Sequence, residues 1–368
     1  MRNLNHTFSL YGLFVSSNGS VMKIRIIISV LAVCGFFGCS GLDLIDEPPV
    51  PKPESGQNEE KAEIPLILDP VPAQNASNPN REIDLGASAV LDNLYKLWDS
   101  LIADSEGYIQ KTVLGKDGSN TYDIFKVRLT EKNNDIYRKK VFIMPNQHGI
   151  PYDPIDASWT CYYLSEMLVK NNKTNQVWSE IRQQFDITMV ACCNPWGVVN
   201  RSYGTYTTDP NGYHINCNRN WDYDFIPNQV ESTGKTSSGP SPFCIPETQY
   251  LMDIIENEDF DLVVDLHSYG NGTAGMKIFV ASQENEWLAK GAEFMEYVSK
   301  MVEGVRYSIG VSETALNGKA SPYLSLKKHI SAFTLECACC SYGDKTTAYD
   351  SNPLTADLYA LVAALRAL

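Results

Sequence analysis

The 368-residue chain is short of positive charge: 30 Lys and Arg face 44 Asp and Glu, for a formal net charge of −14. No basic patch is present to neutralise phosphates, which excludes a nucleic-acid partner. Its ten cysteines never take the CxxC…CxxC spacing of a zinc ribbon. No apolar run reaches the roughly 18 residues of a membrane-spanning helix, and no internal repeat is visible. Histidine is scarce, with five in all, so the place of each one carries information. Apolar residues are not scarce. At 43% of the chain they suffice for a sizeable core, which excludes global disorder. The length allows one large domain or two ordinary ones.

Residues 22–39, MKIRIIISVLAVCGFFGC, set Lys23 and Arg25 before an apolar stretch that begins at Ile26 and ends on Gly38-Cys39. This order is that of a targeting segment. It resembles a bacterial lipoprotein signal, in which the cysteine after a small residue is lipidated and becomes the mature N-terminus. Phe36 stands where a leucine is more usual. The expectation is a start at Met22, with residues 1–21 an upstream extension, and a membrane partner reached through a lipid anchor at Cys39. The protein would then sit in a bacterial cell envelope, facing the periplasm or the exterior. Ordinary secretion and a non-cleaved anchor are the alternatives. Residues 40–82 are rich in Pro, Glu, Asn and Ser and read as a disordered tether. Residues 83–368 form the globular part.

Within it, SAVLDNLYKLWDSLI has apolar residues at helical spacing, with Asp84 or Ser88 as a cap. TYDIFKVRLT and KKVFIMP read as strands, and ASWTCYYLSEMLVK as an amphipathic helix. FDITMVACCNP is a buried-type strand ended by Asn-Pro, PETQYLMDIIENE a helix, and DFDLVVDLHSYG a strand ended by His-Ser-Tyr-Gly. ENEWLAKGAEFMEYVSKMVEG is a long helix, HISAFTLECACC a strand and TADLYALVAALRAL a closing helix. Strands alternating with helices predict an α/β fold with helices on both faces of a sheet, and ligands at the C-terminal ends of its strands.

Three chemistry-bearing residues fall at such ends. His148 follows KKVFIMPNQ, His267 ends DLVVDL and Glu336 ends SAFTL. Imidazoles suit zinc, and a carboxylate nearby suits a general base. In NGYHINCNRNW, Arg219 lies between Asn218 and Asn220, a planar fork that suits a carboxylate.

The order QHG, NPWG, Arg201, NRNWDY, DLHSYG, AFTLE resembles the zinc metallocarboxypeptidases of the M14 family over roughly residues 83–368. The resemblance implies a mixed, mostly parallel sheet sandwiched by helices, with one Zn2+ at the strand edge. It implies His148 and His267 as zinc ligands, Asn218 and Arg219 as the pair that grips a peptide's terminal carboxylate, Arg201 as the oxyanion's partner and Glu336 as the general base. The implied substrate is a peptide with a free C-terminal carboxylate.

The sequence also departs from the family. Its first ligand motif, His-x-x-Glu, here reads His148-Gly149-Ile150-Pro151, and proline cannot bind zinc. Asp153, which precedes a proline, is the preferred third ligand, with Asp156 the second choice. Thr314 or Ala315 stands where the family has a tyrosine. Tyr307 and Tyr323 are poorly spaced to replace it. Ser321, near the position that shapes the side-chain pocket, favours neither basic nor aromatic termini. Two further readings stay open: an M14-like binding protein that has lost its metal, and a deacylase or amidase acting on peptidoglycan stem peptides. Cys192, Cys193, Cys337, Cys339 and Cys340 read either as small buried hydrophobes or as a disulfide near the site. His214 and His329 read as structural or surface residues. Trp221, Tyr223 and Phe225 read as local packing.

Overall fold

In the computed structural model the described residues are 8–15, 21–28, 87–132, 136–149, 155–232, 235–268, 276–301, 307–311, 317–337 and 353–368. The chain divides into two units, Met1–Ala62 and Glu63–Leu368. In the first, β1 (Phe8–Val15) pairs antiparallel with β2 (Val21–Ile28). β2 takes in Lys23, Arg25 and the first apolar residues of the expected targeting segment; Cys39 and the expected tether lie outside the described residues.

The second unit holds an eight-stranded sheet. Its strands are β3 (Ile109–Lys116), β4 (Asp123–Leu129), β5 (Lys139–Pro145), β6 (Phe185–Val190), β9 (Leu262–Ser268), β10 (Met276–Val280), β11 (Tyr307–Val311) and β12 (Ala332–Cys337). A small hairpin, β7 (Val230–Glu231) with β8 (Thr236–Ser237), stands apart. The sheet order is β11-β10-β12-β9-β5-β6-β4-β3. The four central strands, β12, β9, β5 and β6, are mutually parallel; on one side β4 and β3 add antiparallel, and on the other β10 pairs antiparallel with β12 while β11 runs parallel to β10. This is the expected mixed, mostly parallel sheet.

Alternation along the strands builds two cores. Val141 and Ile143 of β5, with Val264 and Leu266 of β9, pack against Trp98, Trp159, Leu164, Trp178, Phe294 and Leu361. These come from α1 (Ala87–Asp104), α2 (Asp156–Lys170), α3 (Gln176–Gln184), α6 (Trp287–Met301) and α7 (Pro353–Ala367). Phe142 and Met144 of β5 and Val263 of β9 face the other way, onto Leu251 and Ile254 of α5 (Pro246–Asn257) and onto Tyr323 and Leu324. The central strands are apolar on both faces because both faces are covered.

Chain order places the site. From β5 the chain crosses to β6 on one side, then returns to β9 on the other side of β5. The crevice at the carboxyl ends of β5 and β9 is therefore the switch point of the sheet, where ligands gather in open α/β folds. His148 follows β5, His267 lies in β9, and Glu336 of β12 is in register with His267.

Candidate active site

Several contacts fix the ends of β5 and β9. Asn146 takes a left-handed backbone, φ 54°, which asparagine tolerates better than most residues. Its backbone N–H donates to the Leu266 carbonyl at 3.1 Å. Its Oδ1 accepts from both the backbone and the hydroxyl of Ser158, each at 2.9 Å. Ser268 Oγ accepts from the backbone of Ala157 at 3.1 Å. The first turn of α2, which has no side-chain cap from its own N-cap residue, Ile155, is thus capped by the ends of the two histidine-bearing strands. Gly149 closely meets α4 (Pro195–Asn200) and the chain just after it: a Cβ there would lie 2.1 Å from the Gly197 carbonyl and 2.4 Å from that of Ser202.

The two imidazoles come together in this crevice. Their ring centroids are 4.8 Å apart, and both residues are buried, His148 at 6% and His267 at 2% exposure. His148 Nε2 lies 2.9 Å from Asn216 Oδ1, and its ring stacks on Tyr203 at 3.9 Å. His267 Nε2 lies 2.9 Å from Asp265 Oδ1. The amide oxygen beside His148 Nε2 places that ring's proton on Nε2 and leaves its Nδ1 as the lone-pair nitrogen. A metal-binding histidine characteristically donates its other ring N–H to such an amide or carboxylate. The donor set therefore fits a zinc ion, with two imidazole nitrogens from adjacent strand ends.

Asp265 joins the surroundings. Its Oδ1 also accepts from Gln147 Nε2 at 2.6 Å, and its Oδ2 accepts from Thr334 Oγ1 at 3.3 Å. Gln147 Oε1 in turn accepts from Trp221 Nε1 at 3.0 Å. The buried Asp265 thus ties β5, β9 and β12 together.

A third donor from the sequence, Asp153, lies with Pro151 in segment 150–154, outside the described residues. That segment joins Gly149 to Ile155, immediately before the capped start of α2. Asp156 opens α2 and is half-buried. Among the described residues no group of three His, Cys, Asp or Glu could hold a metal ion, so Asp156 completes none with the two imidazoles. Thr314 and Ala315 also lie outside the described residues.

Asn218 and Arg219 form a short 3-10 turn, Cys217–Arg219, beside the histidines. Asn218 Nδ2 is 3.0 Å from His267 Nε2 and 3.4 Å from Asp265 Oδ2, while its Oδ1 accepts from the Ala320 backbone at 2.9 Å. The guanidinium of Arg219 donates through Nε to Glu231 Oε1 and through Nη1 to the Asn218 carbonyl. Asn220 acts structurally, bonding Ser238, Ser241, Cys244 and Thr248 and so fastening the turn to its surroundings. Gly318 has φ +67°, and a Cβ there would lie 2.1 Å from the Arg219 carbonyl, so the segment before Ala320 runs flush against this turn. Between them, Lys319 is pulled down to about 8, first by burial and then by Arg219, with Glu231, Asp265 and Glu336 opposing.

Arg201 follows α4 in a left-handed conformation and is exposed, two residues before Tyr203. Glu336 is half-buried on β12. Ser321 is buried, and its hydroxyl has no hydrogen-bond partner among the described residues. Tyr323 packs on Trp221 and Phe243, and Tyr307 is exposed on β11. His214 lies against Trp196. Cys161, Cys192, Cys193, Cys217 and Cys337 are buried thiols. For Cys192, Cys193 and Cys337 the small-hydrophobe reading holds; Cys339 and Cys340 lie outside the described residues.

Sequence reasoning missed Gln147, Asn216, Asp265, Tyr203 and Glu231. Asp265 carried a signal, since it is two residues before His267 on a strand and so shares its face.

Residues 117–354 match the sequence family Peptidase_M14, zinc carboxypeptidase. No curated protein matches the chain. Solved structures do resemble it. A metallo-carboxypeptidase from Burkholderia cenocepacia is 17% identical, with 73% of this chain and 68% of that one covered and a TM-score of 0.53. Carboxypeptidase A from Helicoverpa armigera is 16% identical, with coverages of 80% and 76% and a TM-score of 0.55. A metallo-carboxypeptidase from Pseudomonas aeruginosa, solved in complex with (2-guanidinoethylmercapto)succinic acid, is 17% identical, with coverages of 75% and 68% and a TM-score of 0.51. The fold is thus that of the metallocarboxypeptidases, and with a family match over most of its globular part the chain belongs to the zinc carboxypeptidase family, Peptidase_M14.

Proposed function

We propose that this protein is an exported carboxypeptidase that removes the C-terminal residue of a peptide, with zinc held by His148, His267 and Asp153. The observation that carries the reading is the meeting of two buried imidazoles, 4.8 Å apart, beside the Asn218–Arg219 turn, with His267 in register with Glu336. Zinc, when bound, supplies Lewis-acid polarisation and acidifies water. The chain's own residues supply the rest. Arg219 grips the terminal carboxylate with its Nη edge, a bidentate geometry that lysine could not match. Glu336 takes the proton of the attacking water and returns it to the leaving amine. Arg201, exposed after α4, offers its charge to the developing oxyanion, a contribution of about 3 kcal/mol for a well-placed donor.

Lipid anchoring at Cys39, a bacterial cell-envelope location and a tether over 40–82 complete the proposal. They are supported by the basic, apolar, Gly-Cys order of residues 22–39. Among the described residues no helix is long and apolar enough to cross a membrane. Fatty-acid labelling of the expressed protein, lost in Cys39→Ala, tests the anchor.

Proline at 151 favours a second reading, a carboxylate-binding protein without catalysis. Metal analysis of protein purified without chelator separates the two. About one equivalent of zinc supports the carboxypeptidase. Less than about a tenth, with no recovery on adding zinc, leaves only the binding protein.

A further inference from the structure

The sequence offers no reason to notice Glu231, which sits on the two-residue strand β7 more than ten residues from the Asn218–Arg219 turn. Its carboxylate nonetheless meets that turn twice. Oε1 accepts from Arg219 Nε, and Oε2 lies 3.4 Å from Asn216 Nδ2. Asn216 is the residue whose Oδ1 meets His148 Nε2 at 2.9 Å and also accepts the Asn218 backbone N–H at 2.9 Å. One hydrogen-bonded series therefore runs from His148 through Asn216 and Glu231 to Arg219.

Resting on the carboxypeptidase reading, we infer that Glu231 is the positioning residue of the carboxylate clamp. A guanidinium has five N–H donors. Glu231 takes the one on Nε, and the Asn218 carbonyl takes one on Nη1. One donor on Nη1 and both on Nη2 are left, so an edge of the fork can still meet a carboxylate end-on. The two contacts hold the guanidinium plane, and a fork held in place loses less freedom when its ligand arrives. Both side chains of the Arg219–Glu231 pair are less than one-fifth exposed, at 17% and 18%, so solvent does little to screen it.

The opposite role is also conceivable for a carboxylate on a clamp arginine: Glu231 could compete with the ligand. The two roles predict opposite signs. The test is calorimetric binding of a panel of N-acetyl amino acids (glycine, leucine, phenylalanine, lysine, glutamate) and their amides to the zinc-supplemented full chain, its Glu231→Ala variant and its Glu231→Gln variant. For the best-bound acid, Glu231→Ala is expected to weaken binding about tenfold or more. Glu231→Gln, which can still accept from Arg219 Nε, should weaken it less. The amides should change less than twofold, and zinc content should hold. In parallel peptide assays KM should rise with kcat nearly unchanged. An unchanged or tighter affinity for the acid in either variant overturns the inference, and Glu231→Gln keeps the test open if the alanine variant misfolds. Loss of acid binding in a protein that cleaves no peptide would keep this inference and remove the catalytic reading. Cleavage with an unchanged KM would do the reverse. A wild-type chain that binds none of the acids would remove the clamp, and Glu231's role with it.

Discussion

His148 Nε2 meets Asn216 Oδ1, and His267 Nε2 lies between Asp265 Oδ1 and Asn218 Nδ2. Such outer partners fix ring orientation, and their loss characteristically costs 10- to 100-fold in metal affinity. Asn216→Ala should therefore weaken zinc binding by about that factor, read by competition with a chromogenic chelator. Replacing the proposed proton acceptor should act differently. Glu336→Gln should keep zinc and lower kcat by roughly 10²- to 10⁴-fold, because an amide cannot take the proton. For the third ligand, Asp153→Ala should remove the metal and Asp156→Ala leave it in place, as zinc analysis of the two purified variants would reveal. The reverse result would move the ligand to Asp156. At this scale the place of the histidines and Glu336 at neighbouring strand ends was legible because a polar residue just past an apolar run stands out. Asn216 and Glu231 were not, since their contacts depend on how distant turns meet and no local pattern encodes that.

Two asparagine caps separate local stability from site geometry. Asn175 caps α3 through the Val177 backbone at 3.0 Å. Asn194 caps α4 through Gly197 at 2.9 Å, and its Nδ2 also reaches the carbonyls of Gln147 at 3.3 Å and Gly204 at 3.2 Å. Asn175→Ala should cost about 1 kcal/mol and leave zinc affinity alone. Asn194→Ala should cost roughly 2–3 kcal/mol and also weaken zinc, because the turn that carries His148 loses its brace. Denaturant melts with parallel metal titrations would read both. The elements themselves were largely legible. The central strands are short apolar runs bounded by turn residues, and the helices carry apolar residues at helical spacing. In the second unit the strands left unassigned were β3, β10, β11 and the β7–β8 hairpin, and in the first unit β1 and β2 fell on residues read as an upstream extension and a targeting segment. β3 is mostly exposed at the sheet edge and carries a bulge between Val113 and Gly115, which breaks its alternation. The hairpin strands have only two residues each, too few for any period.

Across the whole molecule, pH and metal should both move stability. Glu247 is buried at the start of α5, accepts from the Gly118 backbone at 2.9 Å through Oε1, and has no partner for Oε2 among the described residues. Burial pushes its carboxyl up from 4.5 to about 7. Between those values the folded chain keeps a proton that the unfolded chain releases, so this group's contribution falls as pH rises from about 4.5 to about 7. Above that window the cost is complete, on the order of 3 kcal/mol. Glu247→Gln should raise the melting temperature at pH 8 and change it little at pH 4. Equal shifts at both pH values would mean that the carboxyl is not held neutral. Zinc should raise the melting temperature of the wild-type chain in a concentration-dependent way, since it binds only the assembled crevice. The fold class was legible from the alternation of strands and helices, and the candidate site from polar residues at strand ends; the sequence does not single out a third ligand, because Pro151 breaks the spacing that would have named it. The most direct test of the whole account is mass spectrometry of a peptide panel after incubation with the zinc-supplemented protein. Each peptide is offered with a free and with an amidated C-terminus. Loss of a single C-terminal residue from free peptides only, stopped by a chelator and restored by zinc, is the predicted result. No mass loss from any free peptide, or equal loss from free and amidated ones, would contradict it.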